Sequence, residues 1–310
     1  MNIAITGIGG YFGQKILIEL SKENIAEKII GVDIREPQLK MKNFTFYKCD
    51  IKNPELSKYF EQNQIDTVLH LAFIVKPIHD QNRAYDINVN GTKNVLQACK
   101  KASVKKVIVA SSGAVYGAHS DNPKFLTEDV AVRPNHDYYY CLHKYELERL
   151  CHLHKKENPQ TIVTIFRPCN LYGKQVDDLL SQSYEGKKIY LFRGFDPERQ
   201  LIHEEDAVNG FLLAIKKDGD GTFNLASDGP FITTKRLASL VNKDVFWLPS
   251  SKFMYYILRL MWKTHLAKSP AGFMHFRKYR WVLSNEKIKK DLGFRPRYST
   301  EEAFLSKYIR

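Results

Sequence analysis

Tyr140 and Lys144 stand four residues apart in a stretch of helical periodicity, so their side chains share one face. Ser112 lies 28 residues before Tyr140, just past the apolar run Val107-Ile108-Val109-Ala110-Ser111. That run puts a hydroxyl at the carboxyl end of a strand, the edge at which open α/β sheets bind ligands. A tyrosine with a pKa of about 10 is a poor base at neutral pH, and a neighbouring ammonium favours its phenolate. Such a tyrosine can take the proton of an alcohol while hydride leaves the same carbon, with Ser112 holding and relaying the proton. A tyrosine and a lysine at this spacing are commonplace on helices. Tyr138 and Tyr139 precede Tyr140, but only Tyr140 has a lysine four residues on.

A hydride needs an acceptor, and the start of the chain describes one. Asn2-Ile3-Ala4-Ile5-Thr6 runs into Gly7-Ile8-Gly9-Gly10-Tyr11-Phe12-Gly13 and then an apolar-periodic helix, with Asp33 twenty residues after Gly13 at the end of a second apolar run. Strand, glycine turn, helix and acid at that distance predict a dinucleotide-binding βαβ unit. Gly7 suits the tight turn, Gly10 lets the backbone approach a pyrophosphate, and Gly13 lets helix and strand pack closely. Phe12 takes the place of the last glycine in the GxGxxG pattern, so the spacing is GxxGxxG. The helix aims its unpaired N–H groups at the phosphates. Asp33 favours NAD, because a carboxylate repels the 2′-phosphate of NADP; Arg35 keeps NADP open. The positive nicotinamide adds to the pull on Tyr140, and Lys144 also grips the nicotinamide ribose.

These groups need a sheet to position them. Apolar runs predict strands at Ile3–Thr6, Ile29–Asp33, Phe44–Lys48, Thr67–His70, Val107–Ser111 and Thr161–Phe166, with helices Gly10–Ser21, Tyr85–Ala102 and Asp137–Lys156 between them. The alternation predicts a Rossmann-type, doubly wound parallel α/β sheet. After Gly173 the rhythm breaks into short elements: a strand near Ile189–Phe192, a helix after His203, a strand near Thr222–Leu225 and a helix from Thr233. The expected organisation is a dinucleotide domain over residues 1–173 and a smaller C-terminal α/β substrate-binding lobe over residues 174–310, sharing a cleft.

The 310 residues are 44% hydrophobic and 26% charged, ordinary for a globular protein with a sizeable core. No apolar run reaches the roughly 18 residues of a membrane span, and strand sequence from the second residue predicts no signal or transit peptide. Five scattered cysteines, never in CxxC spacing, read as reduced thiols in the cytoplasm. The net charge of +13 is spread without a nucleic-acid-binding motif, so no nucleic-acid partner is expected. The cysteine-histidine run Cys151-His152-Leu153-His154 resembles a metal cluster, but residues two apart on a helix diverge, and no metal is expected. His203 reads as support for the lobe's entry helix. One local excess stands out: Val245 to Asn285 contains no acid, yet holds Lys252, Arg259, Lys263, Lys268, Arg277, Lys278 and Arg280. The aromatic stretch Phe253 to Trp262 within it reads as a cover over the substrate cleft, with a helix lying on a membrane surface as the alternative.

The chain resembles the extended short-chain dehydrogenase/reductases, most closely the NAD-dependent epimerase/dehydratase branch that includes UDP-glucose 4-epimerase. The resemblance rests on the Thr6–Gly13 loop, Cys49-Asp50-Ile51, His70-Leu71-Ala72, Asn88-Val89-Asn90-Gly91-Thr92, Ser111–Gly117 and Tyr140–Lys144. It continues through Arg167-Pro168-Cys169-Asn170-Leu171-Tyr172-Gly173, Arg199–Asp206 and Leu292-Gly293-Phe294-Arg295-Pro296. It implies that Asp33 holds the adenosine ribose, that Asp50 and Ile51 hold the adenine, and that Leu71 and Ala72 line the cofactor's path. Asn88 would lie near the cofactor, Pro168 near the nicotinamide, and Asn170 and Arg199 at a substrate diphosphate.

Four departures from the family pattern are visible. His143 replaces the usual serine, Phe73 follows His70-Leu71-Ala72 where a small residue is common, the stretch from Gly173 to Arg199 is short, and a late Arg-Pro-Gly-Asp element is absent, leaving Arg277 or Arg280 as substitutes. The function implied is a nucleotide-sugar epimerase or dehydratase-like enzyme, with Tyr140 as base and a keto intermediate. The alternatives are a net NAD(P)-dependent reductase of a ketone or hydroxysteroid-like substrate and a non-catalytic NAD-sensing module. By analogy, helices Tyr85–Ala102 and Asp137–Lys156 would form a homodimer interface.

Overall fold

The apolar runs of the first half become six parallel strands: β1 (Asn2–Thr6), β2 (Lys28–Asp33), β3 (Phe44–Lys48), β4 (Thr67–His70), β5 (Lys106–Ala110) and β6 (Ile162–Pro168). The computed structural model describes residues 1–39 and 41–308. Across the sheet the strands run β3-β2-β1-β4-β5-β6, followed by a seventh, Gly221–Leu225. Every neighbouring pair is parallel. Strand residues alternate between two cores: Ile3, Ile5 and Ile108 pack on one face, and Ala4, Ile30, Val68 and Val107 on the other. A sheet covered on both sides needs apolar residues at nearly every strand position, which these runs supply.

Strand order reverses between β1 and β4, so their carboxyl ends open a crevice. His70, the last residue of β4, ties that crevice together. Its Nδ1 lies 2.8 Å from Thr6 Oγ1 at the end of β1 and its Nε2 2.9 Å from Thr92 Oγ1. Burial, helped by the charge of Lys144, pushes the His70 pKa down to about 3.

The helical stretch expected over Tyr85–Ala102 is three pieces. A short turn, Gln81–Tyr85, leads into one π-helical turn, Asp86–Asn90, and then the helix Gly91–Lys101. Such wide turns insert a residue where a side chain must be re-aimed. Here the turn contains Asn88, which is fully buried. The site helix spans Tyr139–Glu157.

The second half does not form a wholly separate unit. The strand expected near Thr222–Leu225 joins the central sheet beside β6, and the helix Glu204–Lys216 packs on α1 (Tyr11–Glu23), where Lys15 and Glu204 pair at 2.9 Å. His203 sits at the start of that helix, accepting the Glu205 N–H and stacking on Tyr298. Three small strand pairs complete the lobe: Asn170–Tyr172 with Leu201–His203, Glu198–Arg199 with Ile232–Thr233, and Lys188–Phe192 with Asp244–Leu248. Tyr172, Tyr184 and Phe304 are the centre of its own core.

Candidate active site

The glycine loop follows β1 at the crevice. Gly7 has φ +79°, and a β-carbon there would fall 2.6 Å from the Ala72 nitrogen, so the turn after β1 lies directly against the turn after β4. The sharpest close approach belongs to a residue that the motif spacing does not single out. A β-carbon on Gly9 would lie 2.4 Å from the Arg35 carbonyl oxygen and 3.0 Å from Asp33 Cγ. Asp33 closes the arrangement, accepting the Gly9 N–H through Oδ2 and the Arg35 N–H through Oδ1, each at 2.9 Å. Gly10 precedes α1 in extended conformation, with only the Gly7 carbonyl oxygen near its missing side chain, at 3.2 Å. The phenolic oxygen of Tyr11 is buried with no hydrogen-bond partner among the described residues.

The other expected cofactor contacts lie along the same edge. Leu71 donates its N–H to the Thr6 carbonyl oxygen at 3.1 Å. Asp50 Oδ1 accepts the Lys52 N–H, and buried Ile51 packs where a β-carbon on Gly91 would stand. Asn88 clamps the loop after β4, its Oδ1 accepting the Ile74 N–H at 2.7 Å. Its Nδ2 reaches His143 Nδ1 at 3.3 Å, and burial pushes His143 down to about 4. Pro168 is the last residue of β6, in register with Leu225.

Ser112, Tyr140 and Lys144 come together at the carboxyl end of β5. Ser112 is extended and accepts the Ala114 N–H at 3.1 Å, which turns the chain into the short helix Gly113–Tyr116. Trp281 from the C-terminal lobe roofs that turn, donating its indole N–H to the Gly113 carbonyl oxygen at 2.9 Å. Tyr140 enters the same space from the site helix. Burial raises its pKa well above the usual phenol value, and the neighbouring Ser112 hydroxyl works against that rise. Lys144, one turn further on, is buried, donates to the Ala110 carbonyl oxygen at 2.6 Å and carries a pKa lowered to about 7 by burial. The two preceding tyrosines are committed elsewhere. Tyr138 packs on Phe273 and Phe276, and the Tyr139 hydroxyl accepts the Ile78 N–H at 2.7 Å.

Sequence reasoning flagged Phe73 without its contacts. The ring stands edge-on to Tyr140, centroids 5.8 Å apart, with the Lys144 ammonium over its face. Behind the site a buried ion pair anchors the helix to the sheet. Glu148 takes the Ser111 hydroxyl at 2.6 Å and Arg167 Nη2 at 2.7 Å, and Arg167 Nη1 donates to the Tyr116 hydroxyl. Nothing in the sequence announces that pair, because its members meet only through tertiary packing.

On the substrate side, Asn170 Nδ2 donates to the Gln200 carbonyl oxygen at 3.3 Å. Arg199 is buried, and each guanidinium nitrogen has an internal partner: Thr234 Oγ1 at 2.8 Å and the carbonyl oxygens of Phe276 and Arg277 at 2.5 and 2.8 Å. Burial lowers its pKa to about 10. Arg280 pairs with Glu198 at 2.6 Å through Nε, while its Nη1 is buried without a partner among the described residues.

A parallel sheet with a glycine turn at its switch point and a Ser–Tyr–Lys cluster at the next strand end is a Rossmann-type α/β architecture of the extended short-chain dehydrogenase/reductase type. The chain belongs to the NAD dependent epimerase/dehydratase family, whose model matches residues 3–226. Among its relatives is an uncharacterized protein of Mycobacterium tuberculosis, 26% identical over 310 residues, which cover 97% of this chain and 82% of the relative. The UDP-glucose 4-epimerase of Thermotoga maritima, solved with UDP-glucose, superposes with a TM-score of 0.78 at 23% identity, covering 99% of this chain and 97% of that one. The UDP-glucuronic acid 4-epimerase of Bacillus cereus, solved with UDP-glucuronic acid and NAD, gives 0.77 at 23% identity, covering 99% and 98%.

Proposed function

We propose that this chain is an NAD-dependent epimerase or dehydratase-type enzyme acting on a nucleotide sugar, with Tyr140 as the proton-accepting base. The observation that carries the reading is the convergence of Ser112, Tyr140 and buried Lys144 on the crevice that the Gly7–Gly13 loop and Asp33 enter. The cradle fits a dinucleotide, because Gly10 at the start of α1 has only the Gly7 carbonyl oxygen near its missing side chain, leaving the helix N-terminus approachable, and Asp33 stands at the end of β2. Gly7, Gly10, Tyr11, Phe12 and Gly13 would hold the pyrophosphate, Asp33 the adenosine ribose, Asp50 and Ile51 the adenine, and Leu71, Ala72, Asn88 and Pro168 the path to the nicotinamide. Bound NAD supplies a hydride acceptor that can return what it receives.

The protein's own residues handle the proton. Burial alone keeps the Tyr140 phenol protonated, so ionisation needs positive charge beside it. Lys144 in its protonated form, at about pH 7 and below, supplies that charge from the same helix face, and a positive nicotinamide would add to it. Ser112 orients the substrate hydroxyl and passes its proton to Tyr140. Removal of the proton as hydride leaves yields a ketone, and delivery of hydride to the opposite face, with the proton returned from Tyr140 to the oxygen, gives the epimer. Asn170 and Arg199 lie on the lobe side. With the Arg199 nitrogens internally partnered, Arg199 is committed to the lobe's own structure, which leaves Arg280, paired with Glu198 through Nε, as the alternative diphosphate contact.

The test is to incubate the protein with NAD and UDP-glucose or UDP-N-acetylglucosamine and follow the 4-epimers. Interconversion without net change in NADH absorbance supports epimerisation. A stoichiometric absorbance change with a small carbonyl compound and no reaction across a nucleotide-sugar panel would instead identify a net reductase. The homodimer through Gly91–Lys101 and the site helix belongs to the same proposal, and sedimentation velocity tests it.

A further inference from the structure

The helix Lys252–Lys263 presents its most apolar stripe away from the protein. Only Trp262 on it is buried, packed with Ala84 and Tyr139 and stacked 3.9 Å from His79. Tyr255, on the same inner side, donates its hydroxyl hydrogen to Asp137 Oδ2 at 2.8 Å. The opposite stripe holds Phe253, Tyr256, Ile257 and Leu260, at the i, i+3, i+4, i+7 spacing of one helix face. Phe253 is 72% exposed, Tyr256 59% and Leu260 62%, and Leu266 just beyond the helix is 74% exposed. A cover over the cleft would bury that stripe, so the expectation of a simple cover is met only by the Trp262 side.

The charges beside the stripe say what it meets. Lys252, Arg259 and Lys263 are exposed along the helix, Lys268 follows, and no acid occurs from Val245 to Asn285. A second copy docked on this face would bring the same cations against these, whereas an anionic surface neutralises them. Twelve residues make a helix of about 18 Å, too short to cross a bilayer of about 30 Å. A strongly amphipathic basic helix with phenylalanine and leucine on its apolar side is suited to lie in the headgroup plane.

We propose that Lys252–Lys263, extended by Leu266 and Lys268, is an interfacial helix that docks the protein on an anionic lipid bilayer. Its inner side packs on the His79 region and on Tyr139, the residue before Tyr140, so docking sets the Tyr140 side of the site next to the membrane. The attachment is peripheral and reversible, because one short apolar stripe and a few cations give modest affinity.

Flotation of the full chain with phosphatidylcholine vesicles, with and without about one third phosphatidylglycerol, tests this. Binding to the anionic vesicles should exceed binding to the neutral ones by about tenfold or more, and should fall as salt is raised. Phe253→Ser with Leu260→Ser should lower vesicle binding about tenfold or more while leaving the melting temperature and NAD affinity unchanged, because both side chains are exposed. Lys252→Gln with Arg259→Gln and Lys263→Gln should remove the preference for anionic vesicles. Equal binding to both vesicle types, or full binding by the double serine variant, overturns the proposal. So does a wild-type dimer that the serine pair converts to monomer without any vesicle binding, which would make this face a contact between copies. The vesicle readout does not depend on turnover, so it stands or falls apart from the assignment of substrate.

Discussion

The ammonium of Lys144 rests 3.5 Å from the centroid of the Phe73 ring. The lysine is thus held between an aromatic face and the Ala110 carbonyl, while the edge of the same ring system touches Tyr140. A cation desolvated over a ring is stabilised by about 2 kcal/mol, comparable to what the lysine would gain from a ribose hydroxyl pair.

If Lys144 grips the nicotinamide ribose as proposed, Phe73 competes with a dinucleotide for it. Phe73→Ala should tighten NAD binding several-fold, on the order of 1 kcal/mol, as measured by calorimetric titration. An unchanged or weaker affinity would mean that the ring positions the lysine for the cofactor.

Replacement of Tyr140 by phenylalanine removes the proposed acid–base group and keeps the ring that packs on Phe73. Turnover should fall by about 10²–10⁴-fold, with the melting temperature and NAD affinity near those of the parent. Steady-state kinetics on whichever nucleotide sugar reacts will check this. Retained turnover would move the base elsewhere.

The buried lysine also makes stability depend on pH. Folding lowers its pKa to about 7, while an unfolded lysine titrates at about 10.4. Between those values the unfolded chain holds a proton that the folded chain has released, so this group makes stability rise with pH from about 7 to about 10. Below about 7 both states are protonated, and the cost of burying the ammonium is fully present. Urea melts should show Lys144→Met gaining most over the parent near pH 6, with the gain shrinking as pH approaches 10. A constant difference would show that the lysine stays charged in the folded protein.

Two adjacent glycines separate loop geometry from motif pattern. Gly9→Ala would drive a β-carbon against the Arg35 carbonyl and Asp33, whereas Gly10→Ala meets only one atom at 3.2 Å. Gly9→Ala should cost about 2 kcal/mol of stability and at least tenfold in NAD affinity. Gly10→Ala should stay within about 1 kcal/mol of the parent. Melting curves and NAD titrations of the two variants, side by side, decide it.

The ion pair behind the site should tolerate joint replacement better than single loss. Glu148→Ala strands Arg167 in the interior and should cost about 3–5 kcal/mol, while Glu148→Leu with Arg167→Met should cost far less. Urea denaturation of both variants measures the difference.

Much of the fold was legible because the strands carry continuous apolar runs, and Ser112, Tyr140 and Lys144 were legible because strand end and helix spacing appear directly in the chain. What escaped was tertiary. Gly9 is constrained by Arg35, which arrives from the end of another strand. The Glu148–Arg167 pair joins a helix to a strand with no local pattern to mark it. The π-helical turn at Asp86–Asn90 hides inside an ordinary helical periodicity, and only the Asn88 clamp on Ile74 explains it. For Phe253–Trp262, amphipathicity was visible but not which side faces the protein, since apolar residues occupy most of that helix.

The seventh strand has a consequence for synthesis. Gly221–Leu225 pairs along β6, and the Leu225 carbonyl oxygen accepts the Cys169 N–H. Until that segment leaves the ribosome, β6 is an open edge whose Val163, Ile165 and Phe166 are apolar. Open apolar edges recruit other strands. A nascent or truncated chain ending near Gly173 is therefore a seed for aggregation, and the C-terminal half acts during translation as the cap that ends the sheet.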